Sequence, residues 1–274
     1  MLRVASAAVL VPVALASAFA GGWVFIAVCA VGAGIILWEW TALVAGHADP
    51  RILVPGLAGL AIASALVSMS FAAAAAAVIA IEAMLAALAA AAWPRRGDDT
   101  FESVTWAASG VVYAGLALLG PALLRADTQW GLEALLFLFA VVWVTDIFAF
   151  FAGRLIGGPL LSPAVSPHKT WSGAVAGLLG GVAAGVAVAY ASGIAMLGIV
   201  GVMALILSVL SQAGDLFESA VKRHFGAKDA SKLIPGHGGL MDRVDGFLFA
   251  AVAALLIGIM HAGTAAPAGG LLLW

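Results

Sequence analysis

Nine stretches of this chain are apolar for long enough to cross a lipid bilayer, and no other feature narrows its possible folds as much. Counted at roughly 20 residues per crossing of about 30 Å of hydrocarbon, they fall near residues 4–20, 22–40, 52–70, 71–93, 104–124, 131–153, 171–191, 193–212 and 244–262. A segment in lipid has to satisfy its own backbone hydrogen bonds. The expected fold is therefore an all-α polytopic membrane protein of about nine transmembrane helices. Composition agrees: 64% of the 274 residues are hydrophobic and 9% charged, too few to give a water-soluble globule of this size its polar shell. No internal repeat and no separable polar domain is visible, so residues 1–274 read as one integral membrane domain. A formal net charge of -2 excludes a phosphate-tracking nucleic-acid binder. Cys29 is the only cysteine, which excludes an intramolecular disulfide, and it reads as a small apolar residue. Small residues near 18–22 resemble a leader cleavage site, yet eight more apolar runs follow, and an uncleaved first helix is expected.

The cations set the orientation, because Lys and Arg accumulate on the cytoplasmic side. If the runs alternate, the amino terminus and the even-numbered loops share one side, which carries Arg3, Arg51, Arg95, Arg96, Arg154, Lys169, Lys222, Arg223, Lys228, Lys232 and Arg243. The other side has Arg125 alone. This split predicts a bacterial-type inner membrane protein whose amino terminus and 213–246 segment face the cytoplasm.

That segment is the chemical anomaly of the chain. Ten charged residues stand between Asp215 and Asp245, together with Pro235, Gly236, His237, Gly238 and Gly239. A plain polar connection would explain mixed charge but not this glycine cluster, whose backbone can approach a ligand and offer N–H groups to an anion. If the eighth helix runs past Gln212, then Asp215, Ser219 and Lys222 share a face with Arg223 beside them. Gly226 would end that helix, and Asp242 and Asp245 would project from the start of the ninth. A carboxylate from each of two helices suits Mg²⁺, which takes one or two carboxylates plus phosphate oxygens. No zinc-type spacing of Cys or His accompanies them.

Two upstream islands are candidates for the same site. Asp146 is an ionisable group inside an apolar run, either functional or a satisfied packing acid. Ser166, Lys169 and Thr170 lie where the seventh helix begins, a position suited to a phosphate cradle or to an interfacial lysine that extends toward water. Glu39, between Trp38 and Trp40, reads as a marker of the membrane interface. Glu82 has no evident partner, His47 and His261 read as interfacial, and His237 is placed to touch substrate.

The run from Ser219 to Asp245 resembles the signature of the phosphatidate cytidylyltransferase (CDP-diacylglycerol synthase) family. Ser219, Lys222, Arg223, Lys228, Asp229, Pro235, His237, Gly238, Gly239, Asp242, Arg243 and Asp245 occupy its fixed positions. Asp146, the Ser166-Pro167 and Lys169-Thr170-Trp171 run and Gly214-Asp215 are also similar to the family. His168 and Ser172 depart from it, at places where Lys or Asn and Glu are common. The resemblance implies nucleotidyl transfer from CTP to phosphatidic acid, giving CDP-diacylglycerol and pyrophosphate for phospholipid biosynthesis.

It further implies magnesium at Asp215 and Asp242, with a second cation left open, and Lys222, Arg223 and Lys228 neutralising phosphate. Arg243 and Asp245 would brace the site. Asp146, Ser166, Lys169, Thr170, Ser219, His237, Gly238 and Gly239 would bind substrate. The implied partners are CTP, phosphatidic acid and the bilayer, with a homodimer left open. No Ser, Cys or His is arranged as a nucleophile, and none is needed, because the lipid phosphate attacks and the protein positions and neutralises. Three rival readings exist: a cytidylyltransferase for another lipid phosphate, a secondary transporter, and a CDP-alcohol phosphotransferase. The transporter is disfavoured by the absence of a repeat, and the phosphotransferase by the lack of an Asp-rich run.

Overall fold

The computed structural model describes residues 2–93, 100–234, 236 and 238–274, with side chains from residue 8 onward. Ten helices and one small hairpin follow in order: α1 (Leu2–Ala20), α2 (Gly22–Ala45), α3 (Pro50–Ser68), α4 (Ala72–Ala92), α5 (Thr100–Ala126), α6 (Gly131–Ile156), β1 (Leu160–Ser162), β2 (Ser166–Thr170), α7 (Trp171–Ala191), α8 (Leu197–His224), α9 (Met241–Ala262) and α10 (Pro267–Leu272). Among the described residues, eight helices, α2 to α9, are long and apolar enough to cross a membrane. In α1 the apolar described part is Ala8–Ala20. The chain is a multi-span, almost wholly helical membrane protein, and the nine expected runs correspond to α1 to α9.

Local chemistry accounts for the boundaries. Asp49 caps α3 by accepting the Arg51 N–H at 3.0 Å, and Pro50, which lacks an N–H, occupies the first helical position. Thr170 caps α7 by accepting the Gly173 N–H at 3.1 Å. Gly226, at φ 67°, ends α8 just after the cations Lys222 and Arg223, as its position in the sequence predicts. The antiparallel hairpin of β1 and β2 pairs Leu160 with Thr170 and Ser162 with Ser166. It was not anticipated, because runs of three and five residues are too short to carry a period.

The chain packs as two compact units. One comprises Met1–Leu123 with Asp229–Asp242, the other Leu124–Lys228 with Arg243–Trp274. In the first, α2, α3 and α4 pack in sequence, and small residues set the spacing. A Cβ at Gly59 would overlap the Glu82 side chain, which gives that acid a packing neighbour in α3. Trp40 is buried, packs at a tilt against Trp106 and Tyr113, and donates its indole N–H to the Trp106 carbonyl at 3.0 Å. It is a core aromatic of this unit.

In the second unit, α6 lies against α7 along a stripe of glycines four residues apart. A Cβ at Gly173 would come within 2.6 Å of the Ala149 carbonyl oxygen, and one at Gly177 within 2.7 Å of that of Thr145. Gly181 meets the Thr145 hydroxyl and Gly185 meets Phe137 and Val141. Helices in lipid gain little from the hydrophobic effect, so close backbone approach through small residues is what holds such a pair together. A buried hydrogen bond of 2.8 Å between Thr145 and Ser208 ties α6 to α8 as well.

Candidate active site

The second unit gathers most of the expected site residues. Helices α8 and α9 approach closely at Gly214 and Gly246: a Cβ at Gly214 would come within 2.7 Å of the Asp245 carbonyl oxygen, and one at Gly246 within 2.9 Å of that of Ser211. Each glycine adjoins an aspartate in sequence. The close approach therefore brings Asp215 and Asp245 into electrostatic reach of each other. Asp146, from α6, interacts with both, and with Lys169 and Arg243. Lys169, at the end of β2, places its ammonium 2.5 Å from the Asp215 carboxylate. The hydroxyl of Ser219 lies 3.4 Å from the other oxygen of Asp215, one helical turn along. Asp146, Lys169, Asp215, Ser219, Arg243 and Asp245 thus form one cluster of charge. Asp146, expected as a site residue with a packing acid as the alternative, is exposed and belongs to this cluster.

Other residues take different partners from those expected. Lys222 is 8% exposed, and its ammonium sits 2.5 Å from the carboxylate of Glu218, which is 1% exposed. The i, i+4 spacing and mutual burial explain the pairing: each charge compensates the desolvation of the other. Glu218 was not among the expected site residues. Thr170 is buried, and its hydroxyl serves as the α7 cap and meets the Ser172 hydroxyl at 3.0 Å. Ser172, where the resembled family often has Glu, donates to the Gly157 carbonyl at 2.5 Å and fastens the start of α7 to the end of α6. Arg223 donates to the Ala227 carbonyl at 2.9 Å and is exposed, as is Lys228. Ser166 is half-buried on β2.

The first unit holds the rest of the charged segment. Asp242, in the first turn of α9 and buried, accepts backbone N–H groups from Ala230 at 2.9 Å and Gly239 at 2.7 Å on the same oxygen. A Cβ at Gly238, whose φ is +82°, would fall 2.6 Å from that oxygen. Glu39 is 0% exposed. It accepts the Ser231 hydroxyl at 2.7 Å and the Leu240 and Met241 N–H groups at 2.8 and 2.7 Å. The reading of Glu39 as an interfacial marker is therefore corrected. An ionisable group inside an apolar run is a signal of function, but the flanking tryptophans point elsewhere, and its partners lie about 200 positions along the chain. Of the glycine cluster expected to offer N–H groups to an anion, Gly239 here gives its N–H to the protein's own Asp242. Pro235 and His237 lie outside the described residues, as do Arg95 and Arg96 and the side chain of Arg3.

The expected metal pair belongs to two units, Asp215 to the second and Asp242 to the first. Asp146, Asp215 and Asp245 offer the hard oxygen donors that magnesium takes. Among the described residues no group of three or more acidic, His or Cys side chains is placed to hold a metal ion.

Residues 1–260 match the model of the cytidylyltransferase family. The chain belongs to the cytidylyltransferase family. Among cytidylyltransferases, proteins named phosphatidate cytidylyltransferase are similar to it. The one from Brucella suis biovar 1 (strain 1330) is 51% identical over 164 residues, 59% of this chain and 60% of the relative. That of Brucella abortus biovar 1 (strain 9-941) is 52% identical over 159 residues, 57% of this chain and 58% of the relative. A more distant one, from Staphylococcus saprophyticus, is 38% identical over 151 residues, 55% of this chain and 57% of the relative. The chain thus matches about three-fifths of the length of its nearer relatives among these.

Proposed function

We propose that this chain transfers the cytidylyl group of CTP to phosphatidic acid, forming CDP-diacylglycerol and releasing pyrophosphate. The observation that carries the reading is the charge cluster of Asp146, Lys169, Asp215 and Asp245 at the crossing of α8 and α9. It sits within a chain of the cytidylyltransferase family whose relatives are named phosphatidate cytidylyltransferase. A phosphate oxygen of the lipid attacks the α-phosphorus of CTP, and the bond to the departing pyrophosphate breaks. No covalent enzyme intermediate is required.

In this reading Lys169 leaves Asp215 for a phosphate oxygen when substrate arrives, and Arg223 and Lys228, both exposed, meet the nucleotide phosphates. Arg243 balances the acids around Asp215. Asp215 is the first carboxylate proposed for magnesium, with Asp146 and Asp245 beside it. Asp242, the other acid expected to hold magnesium, belongs to the first unit, where one of its oxygens holds the backbone of the charged segment. Magnesium, when bound, neutralises the phosphates and stabilises the leaving pyrophosphate. The cation split supports an inner-membrane enzyme whose charged segment faces the cytosol, where CTP is found.

The test is direct. Purified protein supplied with radiolabelled CTP, magnesium and phosphatidic acid should yield a lipid-soluble cytidine product and pyrophosphate in equal amounts. Product formed only with a different lipid phosphate would move the substrate assignment, and solute flux in proteoliposomes without product would replace the enzyme reading by transport.

A further inference from the structure

Glu39 is a carboxylate of the first unit that binds the charged segment from outside it. It stands in α2 and reaches groups 192, 201 and 202 positions later in the chain. Two of its three donors, the N–H groups of Leu240 and Met241, lie where α9 begins and have no partner within the helix. A carboxylate there completes those bonds and meets the positive end of the helix dipole. The third donor, Ser231, also accepts the Leu233 N–H at 3.1 Å, so the hold extends back into the loop.

The two neighbouring glycines fit the same arrangement. A Cβ at Gly239 would lie 2.5 to 2.9 Å from the Glu39 carboxylate atoms, and one at Gly238 would meet Asp242. Each glycine thus makes room for one carboxylate. The Gly239 N–H goes to Asp242 while its Cα faces Glu39, so the two acids grip the same residue from different sides.

We propose that Glu39 is a positioning residue. It fixes the backbone of the charged segment at its entry to α9, and through that backbone the orientation of Asp242. Gly239 is glycine to admit Glu39. The effect on turnover rests on the cytidylyltransferase reading, whereas the effect on the backbone does not.

Two measurements on the full-length protein in nanodiscs separate these. In Glu39→Gln, which keeps the side-chain volume but turns an amide NH₂ toward backbone donors, amide hydrogen exchange at Leu240 and Met241 should rise about tenfold or more. The kcat should fall about ten- to a hundredfold, as expected for a lost charge-assisted bond, while exchange in the remaining helices and the KM for phosphatidic acid stay as in the wild type. Gly239→Ala should be as damaging alone, and its effect should largely vanish in a Glu39→Ala background, giving a non-additive cycle. Wild-type exchange at 240 and 241 in Glu39→Gln, or an additive cycle, would overturn the proposal. So would a general rise of exchange through all helices, which would mark Glu39 as an ordinary stability residue. If the wild type makes no cytidine lipid but exchange responds as described, the anchor stands and the reaction assignment falls.

Discussion

Three acids that look alike in the sequence do different work. Asp215 pairs with Lys169 in a cluster of interacting charges, so replacing it alters charge and little else. Asp215→Asn is expected to lower turnover by at least about a hundredfold, with an unchanged unfolding transition; near-normal activity at low magnesium would remove Asp215 from the metal set. Asp242 is different, since one of its oxygens holds two backbone N–H groups. Asp242→Asn should lose turnover too, but should also speed amide exchange at Ala230 and Gly239, a second signature that Asp215→Asn should lack. Glu218 depends on Lys222 for compensation in a buried pair. Lys222→Met should therefore destabilise the protein by about 3 to 5 kcal/mol, and adding Glu218→Gln should restore most of the loss in a thermal melt. A role for Lys222 limited to phosphate binding would leave stability untouched.

Among the elements, helices α6, α7, α8 and α9 owe their spacing to glycine. The stripe Gly173, Gly177, Gly181 and Gly185 is visible in the sequence, yet a period of four in a glycine-rich apolar run names no partner helix. The partner is decided by what a Cβ would strike, and here that is the α6 backbone and the Thr145 hydroxyl. Gly181→Ala should cost about 1 to 3 kcal/mol through overpacking, measured as a lowered unfolding temperature in detergent. A neutral result would mean that α6 and α7 do not approach as described. The end of α8 was more legible, because Gly226 has no Cβ to oppose a positive φ, whereas Thr170, read as part of a phosphate cradle, is the cap of α7. The hairpin before α7 was hidden by its shortness.

At the scale of the whole molecule, charge placement predicts which side of the membrane each loop occupies. In a Cys29→Ser background, Lys228→Cys should react with an impermeant thiol reagent only from the cytoplasmic side, and Thr128→Cys only from the opposite one. Labelling of Lys228→Cys from outside would reverse the orientation and with it the supply route for CTP. The multi-span helical fold and the family need no such test, since eight long apolar helices and a family match over residues 1–260 support them.

Apolar run length announces spanning helices because lipid accepts little else. The density of Asp, Lys and Gly between 215 and 245 points to phosphate chemistry because few other roles need those residue types together. Pairing across the chain was a different matter. That Glu39 would be buried against Leu240 and Met241 and that Lys222 would serve Glu218 follows from which backbones can approach closely. A buried carboxylate takes whatever donors the packing brings within 3 Å or so of it, and only the folded chain decides which donors those are.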